Sequence, residues 1–281
     1  MTTQRVTLPQ GDIEYNDYGD GPPVVFCHGL LVDGQLWTEA ALRLSKAGYR
    51  CLVPTLPLGS HRIPMRPDAD LSPRGVARLV ADFCAALDLR DVTLTGNDTG
   101  GVIAQLMATE HGDRVGRLVL TNCDALEVFP PKGFEYVKLL PYVPGLMFVL
   151  GKAMLWAPPL RRLPMAYGAL TQRRLPSSLL RSWVEPAASD PALRRDVAKF
   201  ARGVSNRVTL EVAEVLRRFD RPVLLLWGDA DRFFPLSLAE RLRAMIPNAR
   251  LQPVRGGGLL LALDCPEAVA DGIAAFIRGA A

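Results

Sequence analysis

Short apolar stretches alternate with longer amphipathic stretches along most of the chain. The apolar stretches predict buried strands, at residues 23–27, 50–54, 91–95, 117–121, 222–227 and 250–254. The amphipathic stretches predict helices, at residues 35–47, 72–87, 99–111, 237–245 and 265–277. Residues 5–8 and 13–18 predict an antiparallel pair that turns at Gln10 and Gly11. This order predicts an α/β fold: a mostly parallel eight-stranded sheet with helices on both faces.

Two of the predicted helices carry recognisable start signals. Ser72 is a favoured N-cap residue, and Pro73 follows at the first helical position. Asp264, with Glu267 three residues later, predicts a capping box at the start of the last helix.

The alternation stops between residues 126 and 205, where proline-rich, helix-like stretches carry no strand signal. We therefore predict a core domain made of residues 1–125 and 206–281, and a helical cap subdomain made of residues 126–205, called the insert below. The most apolar part of the insert, residues 139–160, is interrupted by four prolines and contains Lys152. We therefore expect no transmembrane segment there.

Composition and charge narrow the class of protein. The 281 residues are 49% apolar, which is enough for one large core plus an insertion. The 33 basic and 29 acidic residues are spread along the chain, so a nucleic-acid partner is not expected. The five cysteines are far apart in the sequence and lie in apolar stretches. This pattern is typical of reduced core residues in a cytoplasmic protein, and not of disulfides or a metal site. The first residues show no signal-peptide pattern, and no cofactor-binding motif is found in the sequence. The sequence leaves the oligomeric state open.

The sequence GNDTGG, residues 96–101, lies between a predicted strand and a predicted helix. This is the layout of a nucleophile elbow, in which glycines allow a tight turn and the central residue, here Asp98, is presented at a helix N-terminus. An aspartate at this place could also be an ordinary N-cap. The neighbouring strand, helix and further motifs favour the elbow.

Two more motifs follow predicted strands: HGLL at residues 28–31, and GDADRFFP at residues 228–235. In this order and spacing, the three motifs resemble those of the α/β-hydrolase superfamily, over essentially the whole chain outside the insert. The aspartate at the elbow resembles the branch that contains haloalkane dehalogenases and epoxide hydrolases. An α/β-hydrolase fold with an inserted helical cap is what this resemblance implies.

The resemblance also implies roles for individual residues. Asp98 matches the nucleophile and Asp231 the acid of the triad, with Asp124 as an alternative acid. The backbone N–H groups of Leu30 and Thr99 match the oxyanion hole. An aspartate nucleophile would attack an sp3 carbon and form an alkyl ester, which water must then hydrolyse with the help of a histidine base.

The position of that base is occupied by Leu259. Residues 256–263 contain no titratable side chain, so a shifted alignment does not supply one. Of the three histidines, His28 is interpreted as a structural loop residue, and His111 ends the helix after the elbow. His61 follows a strand at the right edge of the sheet and is the one possible replacement base, although its loop offers no orienting acid. Whether Leu259 is the natural residue is left open.

The expected substrate is a small apolar molecule, and no metal site is expected. Two tryptophans of the insert are possible halide donors, and three of its tyrosines are possible acids for opening an epoxide; all could equally be packing residues. The candidate pocket residues are His28, Asn97, Phe233, Tyr136, Tyr142, Trp156, Tyr167 and Trp183. Between residues 127 and 184 the chain has eight Lys or Arg and two Glu, which gives a net charge of +6. This basic region could be a solvent-exposed face, a binding site for an anionic part of the substrate, or a contact with an acidic membrane surface.

Two classes of function follow. The first is a hydrolase with Asp98 as nucleophile, in which epoxide opening is preferred over dehalogenation because Thr99 and Leu30 replace the tryptophan and asparagine that usually hold a halide. The second is a non-hydrolytic biosynthetic enzyme, such as a cyclase, isomerase or lyase, or a ligand-binding pseudoenzyme on the same fold. The absence of a base at Leu259 motivates the second class.

Overall fold

The computed structural model describes residues 3–279. Its eight strands form one sheet in the order β1-β2-β4-β3-β5-β6-β7-β8. β2 is antiparallel to β1 and β4, and the other neighbours are parallel. The predicted eight-stranded, mostly parallel sheet is therefore confirmed. The strands are β1 Gln4–Leu8, β2 Gly11–Tyr18, β3 Pro23–Cys27, β4 Arg50–Pro54, β5 Val92–Asp98, β6 Val115–Cys123, β7 Val223–Gly228 and β8 Ala249–Val254.

Ten α-helices accompany the sheet within the described residues. They are α1 Thr38–Lys46, α2 Pro73–Ala86, α3 Thr99–Glu110, α4 Leu146–Trp156, α5 Ser177–Ser189, α6 Pro191–Arg202, α7 Asn206–Leu216, α8 Leu236–Met245, α9 Leu261–Asp264 and α10 Pro266–Gly279. α1 packs against α10 and β4, whereas α2 packs against α3, which also contacts α7. The central strands are fully buried because helices cover them, and this explains their continuous apolar sequences.

Helix starts agree with the sequence at one site and differ at another. Ser72 caps α2, and its hydroxyl accepts a hydrogen bond from the Gly75 N–H at 3.1 Å. The capping box at Asp264 is wrong. The Asp264 carboxylate accepts hydrogen bonds from the Gln172 N–H at 3.0 Å and the Gly258 N–H at 2.9 Å, and Glu267 pairs instead with Arg43. Asp264 thus connects the insert to the loop after β8.

The chain between β6 and β7 holds the insert and α7. α4 packs on α5 and α5 on α6, whereas α7 packs on α3 of the core. The division at residues 126 and 205 stays a prediction. Within residues 3–279, no helix has the length and apolar character needed to cross a membrane.

The carboxyl ends of the parallel strands meet at one edge of the sheet, where ligands of open α/β sheets bind. Five residues of interest lie at this edge: Leu30 after β3, Asp98 at the end of β5, Asp124 after β6, Asp231 after β7 and Leu259 after β8. The topology therefore gathers residues that are far apart in the chain.

Candidate active site

Asp98 lies at a sharp strand-to-helix turn. It is the last residue of β5 and directly precedes α3, with φ = 54° and ψ = −132°. This backbone conformation is unfavourable for a residue with a Cβ and costs about 1–3 kcal/mol. A Cβ on Gly96 would collide with the backbone of Gly100, and a Cβ on Gly100 with the backbone of Cys27. The turn therefore requires glycine at both positions.

The Asp98 carboxyl group lies close to two backbone amides. The N–H groups of Thr99 and Leu30 lower its pKa, and a Cβ on Gly29 would collide with it. The side chain does not form the capping hydrogen bond expected of an N-cap aspartate. The pKa of Asp98 is raised to about 7, because burial and, to a smaller extent, the charge of Asp231 raise it more than the two amides lower it.

Asp124 follows β6 and is 1% exposed. Its Oδ2 accepts a hydrogen bond from the Thr99 hydroxyl at 3.3 Å, whereas Oδ1 has no hydrogen-bond partner among the described residues. Burial raises the pKa of Asp124 well above its usual range, and the negative charge of Asp98 adds to this. Asp124 has fewer donors than Asp98, so within this carboxyl pair Asp124 favours the protonated form more strongly.

Asp231 lies in the loop after β7, and its carboxylate is oriented by two donors. It accepts hydrogen bonds from the Asn122 side-chain amide at 2.9 Å and the Phe233 N–H at 2.8 Å. Asn122 is itself held by the Gly228 N–H at 2.7 Å. Burial raises the pKa of Asp231 to about 6. Sequence reasoning missed Asn122, although an amide near the end of an otherwise apolar strand was a usable signal.

Leu259 lies in the loop between β8 and α9, where it is 3% exposed and lines the cavity next to the site. Its carbonyl accepts a hydrogen bond from the Asn97 side-chain amide at 2.8 Å. The neighbouring Leu260 N–H donates to the Leu170 carbonyl at 2.9 Å, so this loop is attached to the insert. Among the described residues, no histidine lines the cavity.

The two histidines near this edge of the sheet, His61 and His28, form hydrogen bonds to groups outside the cavity. His61 is buried, and its Nε2 lies 3.3 Å from Asp196 of α6, while its Nδ1 accepts a hydrogen bond from the Gly59 N–H. The expectation that no acid lies near His61 is wrong, because the acid comes from the insert and not from the loop. His28 is also buried and accepts a hydrogen bond from the Leu56 N–H at 2.8 Å. Burial lowers the pKa of His28 to about 4, so it is neutral.

A cavity of about 560 Å³ opens above Asp98 and Asp124. We call these two carboxyl groups and Thr99 the floor of the cavity; most of its wall is apolar and comes from the insert. Three predicted pocket residues line it, and their donor groups are already bonded. The Tyr136 hydroxyl donates to the Met165 carbonyl, the Tyr167 hydroxyl to the Leu31 carbonyl, and the Trp183 indole to Asp33.

Five predicted pocket residues do not line the cavity. Tyr142 and Trp156 point to solvent, at 68% and 88% exposure. His28 and Asn97 are fully buried beneath the loops that they support, and Phe233 packs against the ring of Phe134. These aromatic side chains were predicted from their ability to donate a proton or a hydrogen bond, but their position around the helices and turns of the insert decides which of them face inward. The aliphatic wall that it missed includes Met147, Leu150, Met154, Leu163 and Val184.

Comparisons with known proteins agree with the fold. A family model described as alpha/beta hydrolase fold matches residues 22–264. The chain is 29% identical over 277 residues to haloalkane dehalogenase 2 of Mycobacterium tuberculosis, covering 94% of this chain and 91% of that protein. It is also 29% identical over 253 residues to the non-heme chloroperoxidase CPO-A1 of Kitasatospora aureofaciens, covering 87% of each. Crystal structures of DBJA (mutant dbja delta) and of a putative ancestral haloalkane dehalogenase both superpose with TM-score 0.79, at 20% and 21% identity, over 99% and 98% of each chain.

Proposed function

Because the chain belongs to the α/β-hydrolase fold family and is a hydrolase, as its relatives indicate, we propose that Asp98 is its nucleophile. The proposed reaction is the opening of epoxides of small apolar molecules. One observation carries this proposal. The Asp98 carboxyl group lies near the backbone N–H groups of Leu30 and Thr99 at the floor of an apolar cavity, beside the buried carboxyl group of Asp124.

In the first step, an oxygen of the Asp98 carboxylate attacks a ring carbon of the epoxide. The C–O bond of the ring breaks, and an alkyl ester of Asp98 forms. The departing oxygen takes the proton of Asp124, which has become a carboxylate when the step ends. The Leu30 and Thr99 N–H groups favour the ionised form of Asp98 and orient its carboxylate.

Epoxide opening suits this cavity better than dehalogenation. A departing halide needs donors that are free to point at it, and the Trp183 indole is engaged by Asp33 at 2.9 Å. No lysine, arginine or asparagine lines the cavity within the described residues. A departing epoxide oxygen needs a proton, and Asp124 can supply one.

In the second step, the Asp124 carboxylate acts as the base that the chain otherwise lacks. It takes a proton from water, and the hydroxide attacks the ester carbonyl of Asp98. The Leu30 and Thr99 N–H groups stabilise the resulting oxyanion. When the alkoxide leaves it takes a proton from Asp124, and one proton again remains shared by the two carboxyl groups. Epoxide and water have become a diol.

The test is one turnover in ¹⁸O-labelled water, with terminal epoxides and haloalkanes as substrates and mass spectrometry of the intact protein and its peptides as the readout. We expect an alkyl adduct on Asp98 that decays to carboxyl-labelled Asp98 and a diol. Asp98→Ala is the matched control and should form no adduct. No adduct and no turnover with any substrate would exclude Asp98 as a nucleophile.

A second candidate function is supported by the leucine at position 259. With an apolar side chain there and an acid–base carboxyl pair on the floor, the cavity could also catalyse a cyclisation, isomerisation or elimination without a covalent step, or only bind a ligand. In that case no ¹⁸O enters Asp98 during turnover. A product of unchanged mass indicates an isomerase or cyclase, and saturable binding without a product indicates a binding protein.

A further inference from the structure

The insert exposes an unusual amount of apolar surface around α4. Nine large apolar side chains of the insert are more than a third exposed, with Tyr142 at 68%, Val149 at 61% and Trp156 at 88%. Soluble proteins rarely expose apolar patches of this kind unless the patch binds something. We call these residues the apolar surface: Leu139, Tyr142, Val143, Phe148, Val149, Leu150, Trp156, Leu163 and Met165.

The apolar surface is continuous with the cavity. Met147 and Met154 of α4 line the cavity, while Phe148, Val149 and Trp156 of the same helix face outward. Four residues do both, since they are exposed and also line the cavity: Leu139, Leu150, Leu163 and Met165. The cavity therefore opens through an apolar rim, and a hydrophobic molecule held against the apolar surface could enter it without crossing water.

The stretch of chain that carries the apolar surface is basic. From Tyr136 to Val184 the chain contains no Asp or Glu, but it contains several lysines and arginines. Lys138 and Lys152 are exposed beside the apolar residues, and Lys152 Nζ lies 5.7 Å from the centre of the Phe148 ring. Exposed apolar side chains with exposed lysines beside them are typical of proteins that bind the surface of an anionic membrane.

We propose that the apolar surface docks on a phospholipid bilayer that contains anionic lipid, and that the substrate enters the cavity from that bilayer. A second copy of the chain suits this surface less well, because two such surfaces would bring like charges together. This inference goes beyond the proposed chemistry, and binding to a bilayer is measured without any turnover. Its failure would leave the role of Asp98 untouched.

The chain contains its own reporter for the test. Of its four tryptophans, Trp37, Trp183 and Trp227 are fully buried and Trp156 is 88% exposed. Vesicles of phosphatidylcholine, with and without phosphatidylglycerol, would be titrated into the protein. We expect a blue shift of the tryptophan emission and co-flotation of the protein with the vesicles that contain phosphatidylglycerol.

Matched variants separate the apolar and charged contributions. Val149→Asp and Trp156→Asp change the apolar surface outside the cavity wall, and each should weaken flotation by about tenfold. The control is Leu210→Asp or Val215→Asp on α7, which are 45% and 50% exposed and should bind as the unchanged protein does. Lys138→Gln and Lys152→Gln should each weaken binding to the anionic vesicles by roughly fivefold, with no effect on neutral ones.

Three results would overturn the proposal. The first is that the unchanged protein does not float with anionic vesicles. The second is that the α7 control variants lose binding as strongly as the α4 variants. The third is that, without vesicles, the protein is a dimer in sedimentation that Val149→Asp converts to a monomer, which would assign the apolar surface to a second copy of the chain.

Discussion

At the scale of the residue, Asp98 combines a strained backbone with a carboxyl group in an apolar setting. Its φ of 54° is a conformation that glycine adopts freely and other residues do not. Strain of this kind persists only where the surrounding structure imposes it, and here the backbone packs so closely around Gly96 and Gly100 that a Cβ at either would collide.

The strain can be measured with two substitutions that both remove the carboxyl group. Asp98→Gly relieves the backbone strain, whereas Asp98→Ala keeps it. We expect the glycine variant to be more stable to urea than the alanine variant by about 1–3 kcal/mol. At most helix positions the order is the reverse, by about 1 kcal/mol. An alanine variant as stable as the glycine variant would show that the turn is unstrained.

The carboxyl pair also makes stability depend on pH. The pKa of Asp98 is raised to about 7 and that of Asp124 is raised well above its usual range, so the folded protein keeps protons that the unfolded chain releases near pH 4. This contribution to stability is complete below pH 4 and is lost as the pH rises through the folded pKa values.

Asp124→Asn should therefore flatten the pH dependence. Between pH 5 and pH 7, we expect its free energy of unfolding to fall less steeply than that of the unchanged protein, by about 1.4 kcal/mol per pH unit. Urea denaturation at several pH values measures both slopes. Equal slopes would mean that Asp124 is ionised in the folded protein.

At the scale of the element, the loop between β8 and α9 decides whether a base faces the cavity. Leu259 occupies the wall, and its backbone is held by Asn97 on one side while Leu260 is held by the insert on the other. These contacts involve backbone atoms, so they survive a change of the side chain.

Leu259→His should introduce a base into the second step. If an alkyl ester of Asp98 forms, we expect it to decay faster in this variant by roughly 100-fold or more, in the usual range for a general base. Stopped-flow quenching followed by mass spectrometry of the intact protein measures the decay. Leu259→Asn is the control, because it is polar but not basic. An ester that decays at the same rate in both variants would show that an imidazole at this position does not reach the water.

Much of this framework could be predicted from the sequence, for reasons that are visible in particular elements. The buried strands have continuous apolar sequences, so the sheet is encoded locally. Gly96 is required by the nearby Gly100 backbone, whereas Gly100 is required by the backbone of Cys27 on another strand, and only the glycine pattern of the motif could indicate it. The Asp196 partner of His61 could not be predicted, because the two lie 135 residues apart and meet only through the packing of α6. The exposure of Tyr142 and Trp156 likewise depends on how the insert packs.

At the scale of the whole molecule, the core supplies the floor of the cavity and the insert supplies most of its wall. A wall of this kind binds a substrate mainly by removing apolar surface from water, with few directional contacts. Selectivity for substrates should therefore depend on their length and polarity more than on their detailed shape.

A homologous series of terminal epoxides tests this expectation. We expect the second-order rate of Asp98 alkylation to rise by roughly fourfold for each added CH2 group, since each is worth about 0.8 kcal/mol, until the cavity of about 560 Å³ is full. Series that end in a hydroxyl group provide the matched control and should gain less. A rate that is independent of chain length would mean that the cavity does not hold the alkyl chain.

The carboxyl floor and the lysines outside also sort molecules by charge. An anionic lipid that holds the protein at Lys138 and Lys152 is repelled by the carboxyl groups inside, so the membrane that anchors the protein does not compete with its substrate. A fatty acid would be turned away for the same reason, whereas an apolar amine of similar length would be retained. Lipophilic amines are therefore the natural starting point for inhibitors.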